Sequence, residues 1–289
     1  MQYLECAPGP RLSKYIRCFW QLDDDASISN SAEPVLPDGS IEIVFNLADP
    51  FRRHHSDNTI ETQPKTILVG QMRGLSMIQL TGRVSLFGIR FKPCGAFPFL
   101  QMPLSEVTER IPDLGSVLNG RAANLEERIN LAGSFRERIT IAESILLNLI
   151  NDCAISDRQS GEYRAFQAAE RIAQTDGCVP IDELVDTVGL SSRHLGRQFL
   201  NIVGIGPKLL ARIYRFQKVF KALQDQSPRW SSIAYECGYY DQAHLIRDFN
   251  EFAGQNPTGY LARPHEISDC FTKKTLMSDF SNTIASADW

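Results

Sequence analysis

Arg193 and Arg197 lie four residues apart with Gly196 before the second of them, and Gln242, Ala243, Ile246 and Arg247 form a comparable set further on. On a helix, spacings of three and four bring side chains onto one face. Such a face offers guanidinium forks that match guanine, a carboxamide that matches adenine, and apolar groups that meet a thymine methyl. The chemistry within reach is hydrogen bonding to base edges. On one isolated helix pair these residues are ordinarily just a solvated surface, so the surrounding elements decide.

Those elements are written twice. Ile181, Leu184, Val185, Val188 and Gly189 recur 49 residues later as Trp230, Ile233, Ala234, Cys237 and Gly238. Leu195, Phe199, Gly204 and Pro207 recur 50 residues later as Leu245, Phe249, Gly254 and Pro257, because the second turn is one residue longer. The apolar positions fall at helical spacing. Gly189 stands where a helix end needs a left-handed residue, and Ser191, Ser192 and Asp241 are N-cap residues for the helices that follow. Ile202, Val203 and Phe252 continue the two inward faces, and each Pro starts a further helix. A short helix, a glycine turn and a second helix, duplicated in register, is a tandem helix-turn-helix. Two such units can enter successive major grooves about 34 Å apart.

Between the copies, Leu209, Ile213, Phe216, Phe220 and Leu223 are spaced 4, 3, 4 and 3, the stripe of a single linker helix. Lys208, Arg212, Arg215, Lys218 and Lys221 run beside it. From Arg193 to Arg229 there are eight basic residues against one acid, Asp225, a local charge of +7 in a chain of net charge −4. A charge run is usually a solvated face; here it coincides with the proposed reader and points to phosphate contacts, Lys208 and Arg212 among them.

The run Ile233-Ala234-x-x-Cys237-Gly238-Tyr239-x-Asp241-Gln242-Ala243-His244-Leu245-x-Arg247-x-Phe249, followed by Gly254-x-x-Pro257-x-x-Tyr260, closely resembles the signature of AraC/XylS-type transcriptional regulators, and the likeness extends over about residues 160–263. The resemblance implies a seven-helix DNA-binding domain, promoter sites of direct-repeat type, and activation through contact with RNA polymerase. Its base-reading positions fall on Arg193, Gly196 and Arg197 and on Gln242, Ala243, Ile246 and Arg247. Gly196 and Ala243 carry little or no side chain where many relatives carry a polar one, so the resemblance leaves part of the readout to DNA shape. Pro37-Asp38-Gly39-x-Ile41-Glu42-Ile43-Val44-Phe45 and Gly88-Ile89-Arg90-Phe91-x-Pro93-x-Gly95-Ala96-Phe97 resemble the regulatory domain of a large subset of these regulators, although relatives often have Gly at the position of Cys94.

A chain of 289 residues has room for two cores. Hydrophobic content of 43% and charged content of 22% are those of an ordinary folded protein rather than a disordered or membrane-embedded one. Neither a secretory signal nor an 18-residue apolar run is visible, so a cytoplasmic protein without membrane spans is expected. Cys6, Cys18, Cys94, Cys153, Cys178, Cys237 and Cys270 are scattered singly, which favours reduced thiols. Without Cys-x-x-Cys or His-x-x-x-His spacing, no zinc site and no cofactor are expected.

Tyr15, Cys18-Phe19-Trp20, Ile41 to Phe45, Thr66 to Val69 and Val84 to Phe91 read as strands bounded by turn residues such as Asp38-Gly39. The fold class is therefore α+β: an N-terminal β-rich domain, a small barrel or sandwich (cupin-like by the family analogy), then an all-α C-terminal domain of two helix-turn-helix units and a linker helix. Trp20, Glu42, Arg90 and Lys92 are candidate pocket residues, against the plainer reading of Trp20 as core and Glu42 with Arg90 as an exposed pair on a strand face. His54-His55 beside Arg52-Arg53 reads as loop, and Cys94 as a structural thiol. Leu125, Ile129, Leu131, Ile139, Ile141, Ile145, Leu146 and Ile150 mark amphipathic helices that would pack on the β-domain and supply a homodimer surface.

The expected organisation is a regulatory or dimerisation domain over 1–152, a polar linker at 153–163, a DNA-binding domain over 164–263, and a loosely docked tail at 264–289. The leading reading is a regulator of promoter DNA whose N-terminal domain dimerises, senses a small effector, or does both. A thiol-dependent DNA-repair enzyme using the same reader is the competing class, and a sequestering module that DNA merely localises is a third.

Overall fold

Both faces of the strand Glu42–Asn46 are covered, so the alternation along it sorts residues between two cores. Ile43 and Phe45 join the main core, and Val44 joins a second, smaller one with Cys18, Trp20, Leu22, Ile67, Leu80, Val84 and Leu86. The computed structural model describes residues 2–24, 32–121, 124–150, 159–223, 229–263 and 265. Most of the expected linker, the tail apart from His265, Cys153 and Cys270 lie outside the described residues.

Nine strands are described: β1 (Gln2–Cys6), β2 (Ile16–Asp24), β3 (Ala32–Val35), β4 (Glu42–Asn46), β5 (Arg52–His54), β6 (Ile60–Thr62), β7 (Thr66–Val69), β8 (Ser76–Gln79) and β9 (Val84–Phe91). They form two open antiparallel sheets, ordered β1-β2-β9-β4-β7 and β3-β8-β5-β6. The β-rich expectation holds, but these strands do not close into a barrel. Closure needs an unbroken ladder around the circumference, and the second sheet consists of strands of three or four residues with few bonds to offer. Arg52 to His54, expected as loop, pair with both β6 and β8. His55 approaches Glu61 at 3.2 Å rather than a metal-ligand cluster.

The helical stretch after the sheets comprises α1 (Phe97–Leu100), a 3-10 turn at Leu104–Val107, α2 (Leu114–Leu118), α3 (Leu125–Leu131) and α4 (Phe135–Leu149). Seven helices are described beyond it: α5 (Gly161–Gln174), α6 (Ile181–Val188), α7 (Ser192–Ile202), α8 (Pro207–Ala222), α9 (Trp230–Glu236), α10 (Gln242–Ala253) and α11 (Pro257–Leu261). α5 starts inside the segment expected as linker, with Ser160 accepting from the Tyr163 N–H as its cap.

The main core runs without a break from Phe19, Phe45 and Phe87 in the first sheet to Phe199 and Phe249 in the two helix-turn-helix units. Polar bonds cross the same seam. Thr108 Oγ1 donates to the Gly204 carbonyl at 2.7 Å, and Gln217 Nε2 donates to the Pro37 carbonyl at 2.6 Å. The loop before β4 thereby touches α8, and the 3-10 turn packs on α7.

Candidate nucleic-acid interface and a pocket between the sheets

Each helix-turn-helix unit is built from its local sequence. α6 ends on Gly189 at φ 63° and α9 is followed by Gly238 at φ 78°, a left-handed backbone that suits glycine. Ser191 then caps α7 by accepting from the His194 N–H, and Asp241 caps α10 by accepting from the His244 N–H. Leu195, Phe199 and Ile202 on α7, and Leu245, Phe249 and Phe252 on α10, are buried. Both units touch α8, and for the second Phe216 and Phe220 meet Phe249 and Tyr260 edge to face or tilted.

The opposite faces are in solvent. Arg193, Arg197, Gln242, Ala243 and Arg247 are exposed, as is Lys208 at the start of α8. Gly196 and Ile246 are half-buried, and Ile246 leans on the core. The connector charges go elsewhere. Arg212 bonds Asp248 Oδ1 from Nη2 at 2.8 Å and Glu251 from Nη1 at 3.1 Å, with its guanidinium 5.1 Å from the Phe252 ring centre. Arg215 donates to the Gly177 carbonyl, Lys218 to the Glu236 carbonyl, and Lys221 pairs with Asp176 at 3.2 Å. These contacts occupy four of the five basic residues beside the α8 stripe, so the face expected to meet phosphate keeps Lys208 but has Arg212 turned to a structural use. Counting charge along the chain cannot show this, because the partners come from the turn after α5 and from α9 and α10. Tyr235 and Tyr240, 87% and 94% exposed on either side of the second turn, were not singled out by periodicity.

A family profile described as a helix-turn-helix domain matches residues 184–263. Residues 184–263 form an AraC-type helix-turn-helix domain. A second profile, a domain of unknown function designated DUF6597, matches residues 4–113. Among solved structures, ToxT from Vibrio cholerae O395 is 12% identical at TM-score 0.44, covering 84% of this chain and 96% of that one. The same protein bound to (E)-4-(8-methylnaphthalen-1-yl)but-3-enoic acid is 12% identical at TM-score 0.45, covering 84% and 98%. No curated protein matches the chain.

Apart from the AraC-type domain, a cavity of about 140 Å³ lies between the two sheets. β4 and β9 set Glu42 directly opposite Arg90, and Arg90 Nε donates to Glu42 Oε1. Asp38 Oδ2 stands 3.6 Å from the same nitrogen. The pair expected on an exposed strand face is instead enclosed, with Arg90 only 2% exposed, because the second sheet covers that face. Trp20 is core, as the plainer reading had it, and lines the cavity as well. It lies across β9 at Gly88, where an added Cβ would stand 1.9 Å from the indole, so glycine there permits the close approach.

Burial pushes the Glu42 carboxyl up; the Arg90 guanidinium and a Trp20 hydrogen bond oppose this. Burial also works against the Arg90 charge, but Glu42 and Asp38 outweigh it and hold the guanidinium protonated. Lys92 is not among the lining residues, whereas Gln217 of α8 is. Cys94 is buried, and burial pushes its thiol well above the usual range. Among the described residues no cluster could hold a metal ion, and no helix is long and apolar enough to cross a membrane.

Proposed function

We propose that the protein is a transcriptional activator that lays α7 and α10 in successive major grooves of one promoter face. In this reading Arg193, Arg197, Gln242 and Arg247 address base edges, Ile246 and Ala243 make apolar contact, Gly196 allows close approach, and Lys208 meets phosphate. Arg212 serves by holding α10 against α8. RNA polymerase and a second copy of the chain are the expected macromolecular partners, and the cavity at Trp20, Glu42 and Arg90 is the effector site. One observation carries the reading: two units, each with a left-handed glycine in its turn and a side-chain cap on its second helix, both pack on α8 and each leave an Arg-bearing face in water.

The repair-enzyme alternative requires an activated thiolate. Burial instead pushes the Cys18 and Cys94 thiols up and raises Cys237 to about 12. Among the described residues Cys178 is exposed with Lys218 Nζ 3.8 Å from its sulfur, but Lys218 also donates to the Glu236 carbonyl, and no cluster of metal-ligating residues accompanies the thiol.

The test is selection of bound duplexes from a random pool, followed by affinity measurements on the selected site. Arg197→Ala and Arg247→Ala should each weaken binding by about 1–3 kcal/mol and relax preference at separate positions. Equal wild-type affinity for selected and scrambled duplexes, unaffected by salt, would remove the proposal.

A further inference from the structure

The cavity between the sheets carries a charge imbalance that restricts what can occupy it. Its charged lining, among the described residues, is Asp38, Glu42 and Arg90: two carboxylates against one guanidinium. Arg90 serves both acids, through the bond to Glu42 and the 3.6 Å approach to Asp38. An incoming anion would have to displace one of them and would add a third negative charge beside a buried pair. An incoming cation meets a carboxylate in excess.

The imbalance has a position. Arg90 and Glu42 are 2% and 13% exposed, deep on the wall, whereas Asp38 is 31% exposed and sits at the rim. Asp38 Oδ1 is occupied by the Ser40 N–H, which fixes the side chain. Next to it, Gln217 spends its amide N–H on the Pro37 carbonyl, so its own carbonyl oxygen is a further acceptor on the same lining. Behind the rim the walls are apolar, with Val44, Ile78 and Leu86, and aromatic, with Trp20 and Phe51. As for size, an apolar cavity of about 150 Å³ takes one benzene, and this cavity measures about 140 Å³.

We infer that the effector is a small lipophilic cation, a single-ring or similarly sized amine, with its ammonium at Asp38 and Gln217 and its apolar body between the sheets. This rests on the reading of the cavity as the effector site. The ammonium would join Asp38, on the loop before β4, to Gln217, on the helix that carries both recognition units. Occupancy would therefore be felt at the seam between the sheets and the DNA-binding helices.

The test uses full-length protein and three probes of one shape: 2-phenylethylamine, 2-phenylethanol and phenylacetate, titrated calorimetrically at fixed ionic strength. The amine should bind about tenfold tighter than the alcohol, and the acid more weakly than either. Asp38→Asn, which keeps an acceptor for the Ser40 N–H, should erase the preference for the amine and leave the alcohol unchanged. Equal affinities, or phenylacetate binding best, overturn the cation inference while leaving an effector site in place. Failure of all three to bind at millimolar concentration overturns the effector site itself. The probe comparison is made on the wild-type protein, so it stands even if the variant does not fold.

Discussion

Arg90 and Glu42 stand opposite one another on β9 and β4, so each can leave water only in the other's company. Breaking a buried pair from one side costs far more than removing both. Arg90→Leu should therefore destabilise the protein by about 3–5 kcal/mol in urea unfolding, and adding Glu42→Leu should recover most of the loss. The single variant should also respond to pH in a defined direction. Burial already raises the Glu42 carboxyl, and Arg90 is the main group opposing it. Without Arg90 the folded-state value rises further above the unfolded one, so stability is retained in acid and falls as pH rises through the raised value. A pH-independent loss in Arg90→Leu would contradict this account. The pairing could be read from Glu42 and Arg90 as strand residues of opposite charge; its burial could not, because β3, β8 and Phe51 close over it from a separate sheet.

At the scale of elements, the recognition units were legible nearly residue by residue. Gly189, Ser191 and Asp241 act within a few positions of themselves, so the rules for helix ends apply directly to the letters. The α8 stripe was equally plain, while its charged flank misled. Arg212 clamps α10 through Asp248 and Glu251, which lie three residues apart on the helix face turned toward α8. Arg212→Ala should lower stability by about 3 kcal/mol, the low end for a broken buried pair because the arginine is 22% exposed. Lys208→Ala should leave stability unchanged and reduce the salt dependence of DNA binding by about one counterion. Denaturation and salt titration on the two variants separate a structural charge from a phosphate contact; the reverse pattern would reassign both residues.

For the whole molecule, the notable fact is a core shared by the sheets and the helical domain, tied by two side-chain bonds to main chain. Each such bond contributes about 0.5–1.5 kcal/mol. The double variant Thr108→Val with Gln217→Leu should loosen the seam without unfolding either side. Amide exchange should quicken at the 3-10 turn and along α7 and α8, and stay slow in β4 and β9. Unchanged exchange at the seam would show that apolar packing alone holds it. On the proposed effector reading, occupancy of the cavity would bear on the setting of α7 and α10, since Pro37 and Gln217 belong to both the seam and the cavity.

By itself the sequence determined the duplicated reader, its caps and turns, its inward stripes and the β-rich character of the N-terminal half, because each depends on periodicity and on neighbours within a turn or two. Only the tertiary structure decided that the strands form two open sheets, that Glu42 and Arg90 are buried, that Arg212, Arg215, Lys218 and Lys221 find partners within the domain, and that Gln217 reaches the cavity. Those outcomes depend on which face a distant segment covers, and burial, more than residue type, sets whether a charge binds a partner inside or waits for one outside.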